Sequence, residues 1–330
     1  MTDSFGIVDV QKAQKALQGH IFQTPLAKSQ KLDKALNADI WFKCENMQHT
    51  GSFKFRGAYY AISQLSASER LAGVTACSSG NHAQGVALAA REFGIKATIL
   101  MPEDAPEIKI RRTKSYGAEI IHFDRSKVDR EVLIKQITEE KQATLIHSFE
   151  NFNIMAGQGT VGLEIAEQLK AFGKKPDLVA ICCGGGGLTA GVSTALSSLY
   201  PEVDLYAVEP EGFDDTARSL ISGKREKNTK LSGSICDAII TPQPGELTFQ
   251  INNKLLKSAV CVSDEEALSA VNFAATELKQ IVEPGGAVCL AALMFKKIDV
   301  SGKTVAVTLS GGNIDAAMLT KALETDTHLG

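Results

Sequence analysis

The chain has 330 residues, 44% of them hydrophobic and 22% charged, with a formal net charge of −3. That length supports a large core and ordinarily divides into two domains, and that charge excludes a basic nucleic-acid surface. No apolar run reaches membrane-spanning length, and the opening MTDSFGIVDVQKAQKAL lacks the apolar core of a signal peptide. The seven cysteines, at 44, 77, 182, 183, 236, 261 and 289, are scattered and form no C-x-x-C pair. They read as small buried hydrophobes in a reducing cytoplasm rather than as metal thiolates.

The first stretch with chemical content is Thr50-Gly51-Ser52-Phe53-Lys54-Phe55-Arg56-Gly57-Ala58, at the start of the helical pattern FRGAYYAISQL. Ser52 is the expected N-cap, which places Lys54 in the first turn near the positive pole. Crowded by aromatic and cationic neighbours, the amine is discouraged from carrying charge, and that favours a nucleophile. Standing alone, the segment would read as a helix with a solvated lysine. Next, Ser78-Ser79-Gly80-Asn81-His82-Ala83-Gln84-Gly85 follows the strand-like GVTAC and opens the helix VALAAREFG. Hydroxyls, an amide and free N–H groups at a helix start suit a carboxylate or a phenolic oxygen. Simple capping is the alternative, and His82 by itself reads as structural.

Short apolar runs then alternate with helical patterns: ATILM with PEIKIRRTKSYG, AEIIHF with SKVDREVLIKQITEEK, ATLIHSF with MAGQGTVGLEIAEQLKAFG, DLVAICC with LTAGVSTALSSLY. Such alternation indicates parallel strands with crossover helices. The pattern resumes with DLYAVEP, continues with SAVCVS before DEEALSAVNFAATELK, and ends with TVAVTLS before IDAAMLTKALE. The expected fold class is α/β with open, mostly parallel sheets, which bind ligands outside the carboxyl ends of their strands. Each candidate motif lies at a strand-to-loop or loop-to-helix junction.

Cys182-Cys183-Gly184-Gly185-Gly186-Gly187-Leu188 joins a buried-strand pattern to a small-residue helix. Four glycines let the backbone bend and present N–H groups to an anion beside the positive end of that helix. Taken alone, the run is an even choice between an anion cup and a tight turn. A dinucleotide fingerprint fits it less well, because G-x-G-x-x-G spacing is met only loosely and Glu209 falls two positions too late. Glu209 with Asp214 and Asp215 offers hard oxygen ligands for Mg²⁺ or Ca²⁺; helix capping by either aspartate is the plainer reading. Ser310-Gly311-Gly312-Asn313 closes TVAVTL, where a serine offers a neutral hydrogen bond to a ring nitrogen. A lysine opening one helix and a glycine cup opening another together point to pyridoxal phosphate. That cofactor needs both an imine-forming amine and a phosphate cradle.

Five ordered motifs, GSFKFRGA, SSGNHAQG, AGQGT (Ala156 to Thr160), CGGGGL and LSGGN, resemble the serine/threonine dehydratase and serine racemase family of fold-type II pyridoxal-phosphate enzymes. The likeness runs from Gln23-Thr24-Pro25-Leu26 to SGGN, nearly the whole chain. It implies a tryptophan synthase β-like fold of two open, mostly parallel sheets flanked by helices. It also implies a large cofactor domain of residues 1–68 and 149–330, a small domain of residues 69–148, and a cytoplasmic homodimer. By this resemblance Lys54 holds the cofactor as an imine, Phe53 packs by its ring, and Asn81 binds the 3′-oxygen. Gly184, Gly185, Gly186, Gly187 and Leu188 hold the phosphate, and Ser310 meets the pyridine nitrogen. Ser78, Ser79, Asn81 and His82 fall on the substrate side, with Arg130 where racemase-like relatives place an arginine able to meet a β-carboxylate. The family's cation site, for Mg²⁺ or else Ca²⁺ or Mn²⁺, corresponds to Glu209, the carbonyl of Phe213, and Asp215. The chain departs from the pattern at His147-Ser148-Phe149-Glu150-Asn151, where many relatives carry His-Pro-Tyr/Phe-Asn/Asp-Asp. It departs again at Ala238, where relatives such as serine racemase have glycine after the aspartate that here is Asp237.

The resemblance implies a dehydratase, or ammonia-lyase. Lys54 takes the α-proton of an amino acid, the β-hydroxyl leaves with the cofactor phosphate as acid, and hydrolysis gives a 2-keto acid and ammonia. Ser310 would leave the pyridine nitrogen unprotonated, a weaker electron sink that favours elimination over transamination. Ser79 stands where plain threonine deaminases usually have alanine and racemases have a serine serving the opposite face. L-Serine and L-threonine are therefore the expected substrates, with or without racemisation. A 3-hydroxyaspartate dehydratase and a dedicated serine racemase are the rivals, although the hydroxyaspartate enzymes tend to read Ala-Phe-Lys at Ser52-Phe53-Lys54. A catalytically idle binding protein on the same scaffold is the reading from another class; intact Lys54 and Ser79 argue against it.

Overall fold

The structure, a computed structural model, describes residues 5–105, 107–124 and 127–327. Pro106 and Ser126, which open two of the expected helices, lie outside the described residues. The strands form two open sheets. The six-stranded sheet runs, in spatial order, β1 (Leu26–Ala27), β2 (Asp39–Cys44), β10 (Thr304–Leu309), β7 (Leu178–Cys182), β8 (Asp204–Pro210) and β9 (Ser258–Val262). Only β1 pairs antiparallel in it. The four-stranded sheet runs β5 (Glu119–Phe123), β4 (Ala97–Pro102), β3 (Val74–Cys77) and β6 (Thr144–Leu145), all parallel. This is the α/β architecture that the alternating runs imply.

Two expected elements are shorter than their patterns. ATLIHSF is a strand only over Thr144–Leu145. Ile146 still donates its N–H to the Thr75 carbonyl at 2.8 Å, after which the chain turns, with His147 Nδ1 accepting from the Glu150 N–H at 2.9 Å. The helix DEEALSAVNFAATELK is α-helical over Asp264–Phe273 and passes into a π-helical turn at Ala274–Leu278, which Lys279 ends in a left-handed conformation at φ 58°. Its start follows the usual rule, with Ser263 and Glu266 capping one another.

The helix Pro284–Met294, PGGAVCLAALM, is apolar on every side and buried throughout, in the core against the six-stranded sheet. A second core lies between the four-stranded sheet and the helices Lys54–Ser63 and Asn81–Glu92. The helix Phe152–Ala171 joins the two. Its AGQGT segment is explained by close approach: a Cβ at Gly157 would lie 2.6 Å from the Arg56 carbonyl oxygen, and one at Gly191 would lie 2.2 Å from that of Met155. Thus the helix opened by Lys54 and the helix opened by the glycine run, Gly187–Leu199, both pack tightly on a single long helix.

Beneath that contact four charges are buried together. Arg56 pairs side-on with Glu45 (Nε and Nη2, each 2.8 Å) and with Glu164 (Nη1 2.6 Å, Nη2 2.8 Å). Lys43 Nζ reaches Glu164 at 2.5 Å and the Thr24 carbonyl at 2.6 Å. Burial alone would raise the Glu45 carboxyl, but the Arg56 guanidinium outweighs it and holds Glu45 below its ordinary value. Bidentate geometry on both sides satisfies the guanidinium in a medium where an unpaired ion would be very costly. Arg56→Met should therefore destabilise the fold by about 3–5 kcal/mol, because two carboxylates lose their partner in the interior. Chemical denaturation measures this, and an unchanged midpoint would remove the cluster from the stability argument.

Candidate active site

Lys54 is the first residue of its helix, but Ser52 does not cap it. Ser52 has extended backbone (φ −164°, ψ 160°) that bridges Gly311 of the SGGN loop, and its buried Oγ has no hydrogen-bond partner. Phe53 occupies the cap position already in helical conformation, and its N–H donates to the Ser310 carbonyl at 3.2 Å. The expectation of a Ser52 cap is thus corrected: the segment is fixed by backbone pairing to the loop after β10. That pairing sets the lysine beside Ser310.

Lys54, Phe53, Ser78, Ser79, Asn81, His82, Arg130, the four glycines, Leu188 and Ser310 all line one cavity of about 200 Å³. It opens at the carboxyl ends of β3, β7 and β10, where open parallel sheets place their ligands. Lys54 Nζ donates to the Ser148 carbonyl at 3.0 Å and lies 5.1 Å from the Phe53 ring centroid. Burial pushes its ammonium down to about 8, with the nearby Cys182 opposing slightly. The cause is desolvation rather than a cationic neighbour, since Arg56 is fully neutralised by Glu45 and Glu164. Ser310 is buried beside Cys182, whose thiol is raised by burial against hydrogen bonds from Ser310 and Thr308.

The glycine run forms a cup. Gly186 has φ 87°, a Cβ at Gly185 would lie 2.2 Å from the Phe149 ring, and a Cβ at Gly187 would lie 2.9 Å from Phe149 Cβ. The first bond within the following helix is Ala190 N–H to the Gly186 carbonyl, so the N–H groups of Gly187, Leu188 and Thr189 have no partner inside that helix. Helix Glu246–Leu255, which has no strong sequence signal, stands behind the cup: Thr248 Oγ1 donates to the Gly185 carbonyl at 2.6 Å and Asn252 Nδ2 to that of Gly186 at 3.3 Å. A cradle of N–H groups that no side chain can fill, in one cavity with a neutral-prone lysine, fits a phosphorylated pyridoxal.

Asn81 Nδ2 donates to Glu283 at 2.5 Å, and its Oδ1 accepts from Asn313 Nδ2 at 2.7 Å. Glu283 escapes the motif reading altogether; EPGG before an apolar helix is its only signal. Burial raises its carboxyl to about 7 despite the Asn81 bond. His82 is buried, its Nε2 set 2.8 Å from the Ile146 carbonyl, and burial lowers it to about 3. It is a neutral ring held in packing. Arg130 opens the helix Arg130–Glu140 at the exposed rim and pairs with Glu131 at 3.1 Å. Across the mouth, Lys109 of the helix Glu107–Ser115 pairs with Asp237 at 2.5 Å. Each of these two cations thus has a solvent-exposed carboxylate beside it.

Glu209 lies in β8, next to its last residue, and its two oxygens accept the N–H groups of Thr216 and Ala217 at 2.9 and 2.8 Å. The helix Asp215–Ser222 is thus capped by Glu209 and not by either aspartate side chain. Burial and the neighbouring Asp215 raise Glu209 to about 8; Asp215, hydrogen-bonded by Asn228, is raised by burial to about 6. Phe213 is buried between them in sequence, its N–H on the Pro210 carbonyl. Two buried carboxylates with raised values form a pair that a proton or a hard cation would relieve. No cluster of three or more acidic, histidine or cysteine side chains suited to a metal occurs among the described residues. Nor, among them, is any helix long and apolar enough to cross a membrane.

Residues 17–311 match the family model described as "Pyridoxal-phosphate dependent enzyme". An L-threonine ammonia-lyase of Thermotoga maritima is 42% identical, covering 96% of this chain and 77% of its own. A serine racemase of Schizosaccharomyces pombe is 39% identical (93% and 94%), and an L-threo-3-hydroxyaspartate ammonia-lyase of a Pseudomonas species is 40% identical (93% and 95%). Among solved structures, a T.th. threonine deaminase superposes with a TM-score of 0.88 at 39% identity, over 94% of this chain and 99% of that one. The chain belongs to the fold-type II pyridoxal-phosphate enzymes, among their threonine dehydratases, serine racemases and hydroxyaspartate ammonia-lyases.

Proposed function

We propose that the protein is an ammonia-lyase that converts L-serine and L-threonine to the corresponding 2-keto acid and ammonia by α,β-elimination. The observation that carries this reading is one cavity holding Lys54, the glycine cup, Ser310 and Ser79. Pyridoxal phosphate, when bound, supplies an electron sink for the charge left as the Cα–H bond breaks. With it bound, N–H groups from Gly184 to Leu188 would hold its phosphate, Asn81 its phenolic oxygen, Phe53 its ring, and the neutral Ser310 hydroxyl its nitrogen. Lys54 would hold it covalently and, once freed, would serve as the base: an amine lowered to about 8 by burial is neutral in part at ordinary pH and can accept the α-proton at Nζ.

Ser78 and Ser79, with the backbone at the start of the helix Asn81–Glu92, suit the substrate carboxylate. Serine racemisation is the second reading, favoured by Ser79 in the cavity wall. Glu209, Asp215 and the Phe213 carbonyl are inferred to hold Mg²⁺, Ca²⁺ or Mn²⁺, a cation that supports the fold and not the chemistry. A cytoplasmic homodimer, divided into residues 1–68 with 149–330 and residues 69–148, completes the proposal. A keto-acid assay across L-serine, D-serine, L-threonine and the 3-hydroxyaspartates tests the substrate assignment. Turnover confined to a hydroxyaspartate would overturn it.

Lys54→Ala should lose both borohydride trapping of the cofactor and elimination, since no other lysine shares the cavity with the glycine cup and Ser310 apart from the paired Lys109. Full activity in that variant would refute the assignment. Chelation should lower the melting temperature or activity, and added Mg²⁺, Ca²⁺ or Mn²⁺ should restore it. Elemental analysis finding no metal, with no response to chelator, would remove the cation site.

Ser79→Ala separates the two readings of the site. Taking the α-proton from an L-substrate needs only Lys54, whereas inverting the centre needs a proton delivered from the other face. Chiral chromatography should show D-serine formation abolished while keto-acid release from L-serine largely survives. Equal losses for both enantiomers would reduce Ser79 to a carboxylate contact, and undiminished D-serine formation would exclude it as the donor.

A further inference from the structure

We propose that Glu150 is a positioning residue for the phosphate cup, acting as a clamp between the loop that follows β6 and the helix that backs the cup. The loop His147–Asn151 makes a distinct contact at each residue. His147 Nδ1 accepts the Phe149 and Glu150 N–H groups, the Ser148 carbonyl accepts from Lys54 Nζ, and Phe149 covers Gly185 and Gly187. Asn151 caps the helix Phe152–Ala171. Glu150 reaches the helix behind the cup: its Oε1 accepts the Leu247 N–H at 2.5 Å in the first turn of the helix Glu246–Leu255.

That helix has no side-chain cap at Gly245, so a carboxylate from elsewhere in the chain answers both its free N–H and its positive pole. The fit is tight: a Cβ at Gly245 would lie 1.8 Å from Glu150 Oε2, which is itself buried without a hydrogen-bond partner. From here the helix holds the cup directly, through Gly245 N–H on the Gly185 carbonyl at 3.3 Å, Thr248 on the same carbonyl, and Asn252 on that of Gly186. Those bonds turn the carbonyls outward and leave the N–H groups for the anion. Glu150 fixes the helix and the helix fixes the carbonyls. Burial raises the Glu150 carboxyl, and the Leu247 N–H bond and then Arg225 oppose that rise.

This inference rests on reading Gly184–Gly187 as the phosphate cup. Its test is equilibrium binding of pyridoxal phosphate to the apoprotein, followed by absorbance, together with thermal melting of the same apoproteins. Glu150→Ala should weaken cofactor binding about tenfold or more, the loss expected on removing a hydrogen bond to a charged group. Glu150→Gln keeps the acceptor and should stay within about threefold of the parent chain. Leu247→Pro removes the donor, together with a half-buried leucine side chain, at a first-turn position, and should match Glu150→Ala even if that variant folds poorly. Parent-like affinity in Glu150→Ala or Leu247→Pro would overturn the clamp. So would equal losses in the Gln and Ala variants, which would make the role one of packing or charge. A parent chain that fails to bind the cofactor at all would instead overturn the reading of the cup itself.

Discussion

The buried pairing of Arg56 with Glu45 and Glu164 is the constraint on which the site depends. Arg56 lies two residues after Lys54, on the buried side of the same short helix. Its guanidinium cannot move without stranding two carboxylates in the interior, so the helix start is pinned in rotation and in height. Lys43, through Glu164 and the Thr24 carbonyl, extends the same network to β2 and to the segment before β1. Two cations and two anions cancel, which is how so much charge can remain inside.

With that helix pinned, the rest of the site is reached through the long helix Phe152–Ala171. Glu164 belongs to it, and so do the glycines that let the Lys54 helix and the cup helix approach within backbone contact. The lysine and the glycine cup are some 130 positions apart in sequence, yet they are held by one rigid element. Neither motif needs to touch the other. Each needs only to be packed against the same helix, so changes in AGQGT would disturb both ends of the cofactor site at once.

The sheets and the cavity-lining motifs were legible because their signals are local: apolar runs of strand length, glycine clusters, and polar residues at helix starts. Lys54, Ser79, Asn81, the four glycines and Ser310 do share one cavity. What escaped was whatever depends on a distant partner. β2 did not read as an apolar run because Asp39 and Lys43 interrupt it, and Lys43 is buried only because Glu164 meets it 121 residues later. Ser52 looked like a cap, but its backbone is claimed by Gly311, a pairing no local window contains. Asp214 and Asp215 looked like caps as well, until Glu209 took the N–H groups that they would have used. Glu283 and Glu150 carried no motif because each acts through one long-range hydrogen bond.

The buried carboxylates show how one physical effect is sorted into different roles. Burial raises each of them, and the outcome depends on what stands nearby. Glu45 faces Arg56 and ends below its ordinary value, a fixed anion whose task is structural. Glu283 has the Asn81 amide and, more weakly, Lys109 to offset burial, and it is still raised to about 7 behind Asn81. Glu209 has backbone N–H groups on both oxygens but an acidic neighbour, and it remains raised to about 8. Two good hydrogen bonds do not offset burial and the neighbouring Asp215 carboxylate there. The same burial thus leaves a low, ion-paired carboxylate at Glu45 and raised, hydrogen-bonded ones at Glu283 and Glu209.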